Sequence, residues 1–569
     1  MCATANPQAI AEARRRDVPI FLSIGYSTCY WCHVMERESF ENEEIGRLMS
    51  ELFVCVKLDR EERPDLDELY MAATQLMTGS GGWPMSVFVE PEGLRPFWCG
   101  TYFPPEGRWG RPGFPQVLRG MAEAWRTQRA QVLEQARALA AAVGEHLQRS
   151  TAPVSLTLEQ PTRAAQQILS MHDRQHGGFG GAPKFPQPVL LELLLDVRAH
   201  AGDEATRAAI DAVVRFTLDR MAIGGLQDQI GGGFHRYCVD AHWTVPHFEK
   251  MLYDNAQLVG LYARAAATYG DGYYRRVVER TIAYVAREMT GPDGSFYSAQ
   301  DAEVDGLEGA NYVWRPEEAR DALPEDLRPI AMRALGLDGG ANFQDPHHPD
   351  AAATHVLRLR ARPEEVAAEL GMTPGDFDAA MDRAAELMRR VRDARPKPRL
   401  DDKVLASWNG LMIAVGGPMR RIGQPERCLP DRGQRVLRQR EARSEQADVA
   451  DAGLRPLLHE VDPHPAGKEE IHAIGPQGLH TRELCREVEL AKAGEDLLRA
   501  PAAPVVEAPE AGSGILAGRV VGREDHGIAQ ADAGRVLAHR LVRAIVLEGD
   551  IEEVARAAGA GELARPGIR

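Results

Sequence analysis

The sequence predicts two folds in one chain, an α/β domain over residues 1–150 and an all-helical domain beyond a linker at 151–160. Three observations predict this. An apolar run ending in Gly25 leads straight into Cys29-Tyr-Trp-Cys32 and an amphipathic stretch. Strand and helix patterns then alternate in the order β-α-β-α-β-β-α as far as Gln148. After the linker the period becomes helical, with glycine-rich loops between the helical segments.

The first element is the run Phe21-Leu-Ser-Ile-Gly-Tyr-Ser-Thr-Cys29, read as strand, tight loop and helix start. A helix N-terminus stabilises a thiolate, so the pKa of its first cysteine falls below the free value near ~8.5. Cys29 is therefore expected as the exposed nucleophile, and Cys32, one turn in and more buried, as the resolving thiol. Leu52 to Asp59 reads as a buried parallel strand, Asp65 to Met77 as a helix, and Pro96 to Phe103 as a further strand. Phe114 to Gln148 reads as one long helix. Between them Gly81-Gly-Trp83-Pro84 opens a strand, where proline fits only at the edge or the start. This order is that of a thioredoxin-like domain, and Pro84 is placed to be its cis-proline.

Other readings compete for the cysteine pair. Half a zinc site would need a second C-x-x-C or H-x(3–5)-H at finger spacing, and none lies nearby. Cys-Tyr-Trp-Cys-His33 also fits covalent haem attachment, which requires export, and the first twenty residues have no apolar signal core. Two unreactive core cysteines remain the plain alternative. Cys55 reads as a buried small hydrophobe, and Cys99 as packing near the active loop.

Composition narrows the classes. The 569 residues suffice for two to four domains, and 44% hydrophobic with 26% charged residues is ordinary for globular chains. A formal charge of −16 argues against nucleic acid and against anionic membrane as partners. No apolar run approaches the roughly 20 residues that span a bilayer. Eight scattered cysteines indicate a reducing, cytoplasmic setting rather than a disulfide framework. No metal or cofactor is expected.

Helical segments are readable at 161–171, 188–199, 203–221, 249–268, 271–289, 363–370 and 374–395. The loops between them carry His176-Gly-Gly-Phe, Gly231-Gly-Gly-Phe-His-Arg-Tyr237 and Asp293-Gly-Ser-Phe. Glycine beside an aromatic suits a loop that approaches and stacks on a ligand such as a sugar ring.

The motifs Phe-Leu-Ser-Ile-Gly-Tyr-Ser-Thr-Cys29, Trp31-Cys32-His33-Val-Met, Val56-Lys-Leu-Asp-Arg-Glu-Glu-Arg-Pro-Asp65, Gly81-Gly-Trp-Pro84 and Gly100-Thr-Tyr-Phe-Pro104 resemble the spermatogenesis-associated protein 20 family. Tyr30 stands where that family usually has His, a change between the cysteines that would shift the redox poise. The family also usually begins further upstream. The helical half is similar to the same family and, more widely, to the (α/α)6 toroids of six-hairpin glycosidases and N-acylglucosamine 2-epimerases. The resemblance implies an active mouth formed by inter-helix loops. Its expected residues are Asp240, His242, Trp243, His247, Phe248, Glu249, Tyr253 and Asp254, then Asp301, Glu303, Asp305 and Glu308, then Lys403, Ser407, Trp408 and Asn409. His242 and His247 suit an epimerase's bases. Glu249 with Asp301 or Glu303 suits a glycosidase pair.

All 36 aromatic residues lie within 1–408, and residues 409–569 hold none. A packed helical domain without aromatics is hard to build, so the stretch from about 416 reads as an aberrant tail, either an out-of-frame translation beginning near 414–418 or a disordered tail of biased composition. The toroid would then be incomplete, with exposed apolar faces and poor solubility or a need for a partner.

Three function classes follow. The first is thiol–disulfide exchange at Cys29 and Cys32, with His33 and Pro84 in support and Trp31 and Trp83 beside them, on a protein or small-molecule thiol. The second is carbohydrate metabolism or carbohydrate binding by the toroid, regulated by the first domain. The third is a non-catalytic interaction protein.

Overall fold

The computed structural model describes residues 7–108, 110–148, 157, 159–345, 350 and 352–415. The predicted aberrant tail and most of the predicted linker lie outside the described residues.

The first domain runs α1 (Pro7–Arg16), β1 (Ile20–Gly25), α2 (Tyr30–Met35, prolonged by a wider turn over Glu36–Phe40), α3 (Glu43–Leu52), β2 (Val54–Asp59), α4 (Pro64–Thr78), β3 (Met85–Val89), β4 (Pro96–Gly100), α5 (Phe114–Thr127) and α6 (Arg129–Leu147). The sheet order is β2-β1-β3-β4, with β1 parallel to β2 and antiparallel to β3, and β3 antiparallel to β4. Alternation along β1 and β3 divides the core. Ile20, Leu22, Ile24, Met85, Val87 and Val89 pack on one face, and Phe21 and Phe88 on the other. This is the thioredoxin-like layering of helices on both faces of a sheet.

Two expectations are corrected. The long helix is broken at Gln128, because α5 packs on α3 whereas α6 packs on α4 and β4. One straight helix could not reach both. Strand β2 is the sheet edge rather than a buried strand, so Cys55 is exposed.

The second half contains α7 (Glu159–Met171), α8 (Pro188–His200), α9 (Glu204–Ile223), short strands β5 (Tyr237–Cys238), β6 (Pro246–His247) and β7 (Lys250–Met251), α10 (Leu252–Tyr269) and α11 (Gly272–Glu288). Then come β8 (Ala299–Gln300), β9 (Glu303–Val304), β10 (Leu307–Glu308), α12 (Pro316–Ala322), α13 (Arg328–Ala334), α14 (Pro363–Glu369), α15 (Pro374–Asp393), β11 (Leu400–Asp401) and α16 (Ala406–Ala414). Helix α10 is buried on nearly every side, as an inner helix must be. It packs between α8 and α16, while α9 and α11 pair with α8 and α10 respectively. An inner row backed by outer partners is the layout of an (α/α) toroid, here seen as an arc. Helices α12 and α13 were not among the segments read from the sequence.

The halves share a core. Phe248, Ala302, Tyr312 and Val356 of the helical half belong to the same apolar cluster as Phe21, Tyr30 and Phe114. A seam with an apolar centre holds the two domains in one orientation.

Candidate active site at the domain seam

The site is built where the Cys29–Cys32 loop meets the helical half. Cys29 is the N-cap of α2 in extended backbone conformation, and its Sγ accepts from the Cys32 amide at 3.2 Å. The two sulfurs are bonded to each other at 2.08 Å. Gly25 is required by packing, because a Cβ there would stand 2.7 Å from Cys32 Sγ. The Trp83–Pro84 peptide is cis, as the sequence predicts, and Pro84 is buried at the mouth of β3.

The expected exposures of the cysteines are reversed. Cys29 is 3% exposed, while Cys32 is only half-buried. The physical reason is the helical half, which closes over the loop before Cys29. Glu249, fully buried, accepts from Thr28 Oγ1 at 2.5 Å and from Tyr26 at 3.3 Å. Arg236 reaches the same carboxylate at 3.1 Å and also donates to the Tyr26 hydroxyl. Burial alone would raise the Glu249 pKa, but Arg236, His247 and Thr28 hold it below the usual carboxylate value.

His247 lies across from Tyr30, ring to ring at 6.0 Å, and stacks on Tyr237 at 5.0 Å. Its Nδ1 is 2.8 Å from Glu308 and its Nε2 3.7 Å from Glu249. Burial opposes its charge, yet Tyr237, Glu249 and Glu308 together keep its pKa well above the ordinary histidine value. His33, directly after Cys32, places Nε2 2.8 Å from the Ser27 carbonyl and 3.4 Å from Asp301. The bond to Asp301 raises its pKa. Glu303 forms a two-pronged pair with Arg37 at 2.6 and 3.0 Å.

A third seam contact is an acidic one. Lys403 Nζ lies 2.6 Å from Asp59, 2.6 Å from Glu61 and 3.2 Å from Asp401. One cation serves three carboxylates, and burial pushes Glu61 up to about 7 against the pull of Lys403. Between about 4.5 and 7 the folded chain thus holds a proton that the unfolded chain has released, so this group's contribution to stability falls as pH rises through that window. Expected over pH 5–8 is a decline in Tm of the native chain relative to Glu61→Gln, on the order of 3 kcal/mol in stability. Parallel melting curves would remove Glu61 as the titrating group.

The remaining predicted residues divide. Trp31 packs on Tyr102 at 5.1 Å, and Trp83 donates to Asp67 at 2.7 Å, both within the first domain. Tyr253 and Trp408 meet edge to face at 4.7 Å, and Asp254 is buried near Arg236. His242 is not part of the seam network. It is exposed, 3.2 Å from His176. Trp243 is fully buried in the helical core and donates to the His176 carbonyl at 3.1 Å. Asp240 caps the backbone amides of His242, Thr244 and Val245, and Asn409 bonds the Phe296 backbone. Sequence reasoning missed Tyr26, Thr28, Arg60 and Arg236 as site residues. The available signal was polar residues packed into glycine loops, Gly25-Tyr-Ser-Thr and Gly231-Gly-Gly-Phe-His-Arg236.

Cys99 is buried, and burial pushes its thiol up to about 12. Among the described residues no group of three or more His, Cys, Asp or Glu side chains converges as a metal site requires, and no helix is long and apolar enough to cross a membrane.

A C-x-x-C pair at a helix start, in one domain with a cis-proline at the mouth of a strand, defines a thioredoxin-like class of protein, here fused to a helical domain. Residues 3–144 match the family model Thioredox DsbH, described as a protein of unknown function, DUF255. Spermatogenesis-associated protein 20 of Homo sapiens is 42% identical over 429 residues, covering 72% of this chain and 54% of the human protein. The Mus musculus protein of that name is 40% identical with the same coverage, and an uncharacterized Caenorhabditis elegans protein is 37% identical over 446 residues, 71% of this chain and 58% of the worm protein. The chain is a homologue of the spermatogenesis-associated protein 20 family, and it spans about half the length of the curated relatives it matches. Among solved structures, a sugar epimerase from a ruminal bacterium aligns at 11% identity and TM-score 0.23, over 47% of this chain and 83% of its own. Cellobiose 2-epimerase from Spirochaeta thermophila aligns at 17% and 0.21, over 48% and 99%.

Proposed function

We propose that the chain is a thiol–disulfide oxidoreductase whose Cys29–Cys32 pair cycles between disulfide and dithiol. The observation that carries this reading is the bonded pair at the start of α2, with the cis Trp83–Pro84 loop in the same domain. An incoming thiolate breaks the Cys29–Cys32 bond, one cysteine forms the mixed disulfide and the other leaves as a thiolate. His33, held by Asp301 beside Cys32, has its pKa raised by that bond, and its protonated form favours a neighbouring thiolate. The carbohydrate reading would need His247 and Glu249, and both are engaged with the loop of the first domain.

The test is a redox titration of the whole chain with thiol trapping. Cys29 and Cys32 are expected to convert together at one potential, roughly between −120 and −270 mV. Cys29→Ser is expected to abolish catalysed disulfide exchange with a small dithiol substrate. A pair that stays oxidised or reduced across this range would leave the domain structural.

A further inference from the structure

We propose that the seam beside the thiol pair holds a carboxylate subsite, formed by Arg60 and Arg236 against the rings of Tyr26 and Trp83. Its ligand would be a small thiol bearing a carboxylate, or the matching disulfide. The proposal rests on the thiol–disulfide reading above.

The two guanidiniums flank one aromatic wall. Arg60 lies 3.9 Å from the Trp83 ring centre and 5.4 Å from that of Tyr26, and Arg236 lies 5.3 Å from Tyr26. Arg236 is 4% exposed and spends Nη1 on Tyr26 and Glu249, leaving Nε without an acceptor. Nε and Nη1 of Arg60 are likewise buried without acceptors, and the Asp67 carboxylate stands 3.6 Å away, beyond hydrogen-bond reach. Buried cationic N–H groups left unpaired are rare and costly, and these three belong to two guanidiniums on one aromatic wall. A carboxylate oxygen is an anionic acceptor that makes a charge-assisted bond with such a donor. Glu249 already sets a negative charge beside Arg236, which favours a singly charged carboxylate over a phosphate dianion.

The position fits a redox substrate. Tyr26 lies three residues before Cys29, and Trp83 precedes the cis-proline. Cys29 is closed off from a large partner by the helical half, while Arg60, Tyr26 and Trp83 are only half-buried and form the rim. In the reaction, one acidic thiolate opens the Cys29–Cys32 disulfide to a mixed disulfide. A second thiolate then attacks the ligand's sulfur. The two thiols leave as one disulfide, and their two electrons remain as the reduced Cys29–Cys32 pair, which takes up two protons from solvent.

The experiment uses the oxidised full chain. Binding of S-methylglutathione, which cannot exchange, is measured by calorimetry. Reduction rates by glutathione and by cationic cysteamine are compared per thiolate. Expected are saturable binding of S-methylglutathione and a glutathione rate about tenfold above that of cysteamine, the scale of one charge-assisted bond. Arg60→Gln is expected to weaken that binding and bring the two rates together, while Arg60→Lys, which keeps the charge, recovers part of the preference. Equal rates with no binding, on a pair that still exchanges, overturn the subsite and leave the redox reading standing. Binding without exchange by any thiol keeps the subsite and overturns the redox reading.

Discussion

Glu249→Gln is expected to raise the alkylation rate of reduced Cys29 in the full chain by about 100-fold. The substitution keeps the side-chain volume and removes only the charge. Glu249 is the shared acceptor for Thr28 and Tyr26 of one domain and for Arg236 of the other, and it faces His247. With glutamine in its place, Arg236 and the charged form of His247 lose their buried counter-charge. Breaking such a pair costs about 3–5 kcal/mol, and here the cost falls on the closed seam, because opening it lets water reach both cations. Each 1.4 kcal/mol is a factor of ten in the fraction of chains with Cys29 exposed. The rate is read by mass after brief reduction, against the same variant in urea as the fully accessible reference. If Cys29 stays as protected as in the native chain, the apolar part of the seam around Phe248 and Tyr312 holds it closed without Glu249.

Most of this site was legible in the sequence, and the reason is local. The strand–loop–helix around Cys29 and the proline at the mouth of β3 each follow from residues near one another in the chain, whereas the carboxylates of the Glu249 and Asp301 loops were implied only by the family resemblance. Burial at the seam was not legible, because it depends on contacts across more than 200 residues, such as Thr28 to Glu249. From the first domain alone Cys29 reads as the exposed thiol, and only the second domain reverses that. The same distance explains Lys403. The sequence placed it in a toroid pocket, whereas it closes on Asp59 and Glu61 of the thioredoxin-like domain. His242 and Trp243 show the converse. They share a motif with His247, but the turn around Asp240 sends Trp243 into the helical core and leaves His242 exposed.

Asp228→Asn is expected to cost about 3–5 kcal/mol of stability and lower Tm by on the order of 10 °C. Asp228 is buried between two cations, with Lys250 Nζ at 2.7 Å and Arg392 Nη1 at 2.8 and 2.9 Å. The amides of Ile230 and Gly231 complete its shell. Burial would raise its pKa, but Arg392, Lys250 and His235 hold it well below the usual value. The Asp228 contribution is therefore fully present above the unfolded carboxylate pKa near ~3.9, and it is lost as pH falls through the folded one. Burial meanwhile pushes Lys250 down to about 8, so removing its partner would leave a lysine with little reason to stay charged. Lys250 directly follows Glu249, and its strand pairs with the one that precedes Asp301. Adjacent residues on an extended segment point to opposite sides, so Lys250 anchors inward the segment that presents Glu249 to the seam. Asp228→Asn should consequently loosen Cys29 protection as well as lower Tm. Adding Lys250→Met is expected to recover part of the lost stability, since it removes a buried amino group that has lost its partner. A single variant that melts within 1 °C of the native chain, or a double variant that loses the sum of both changes, would show that this cluster does not set the position of Glu249.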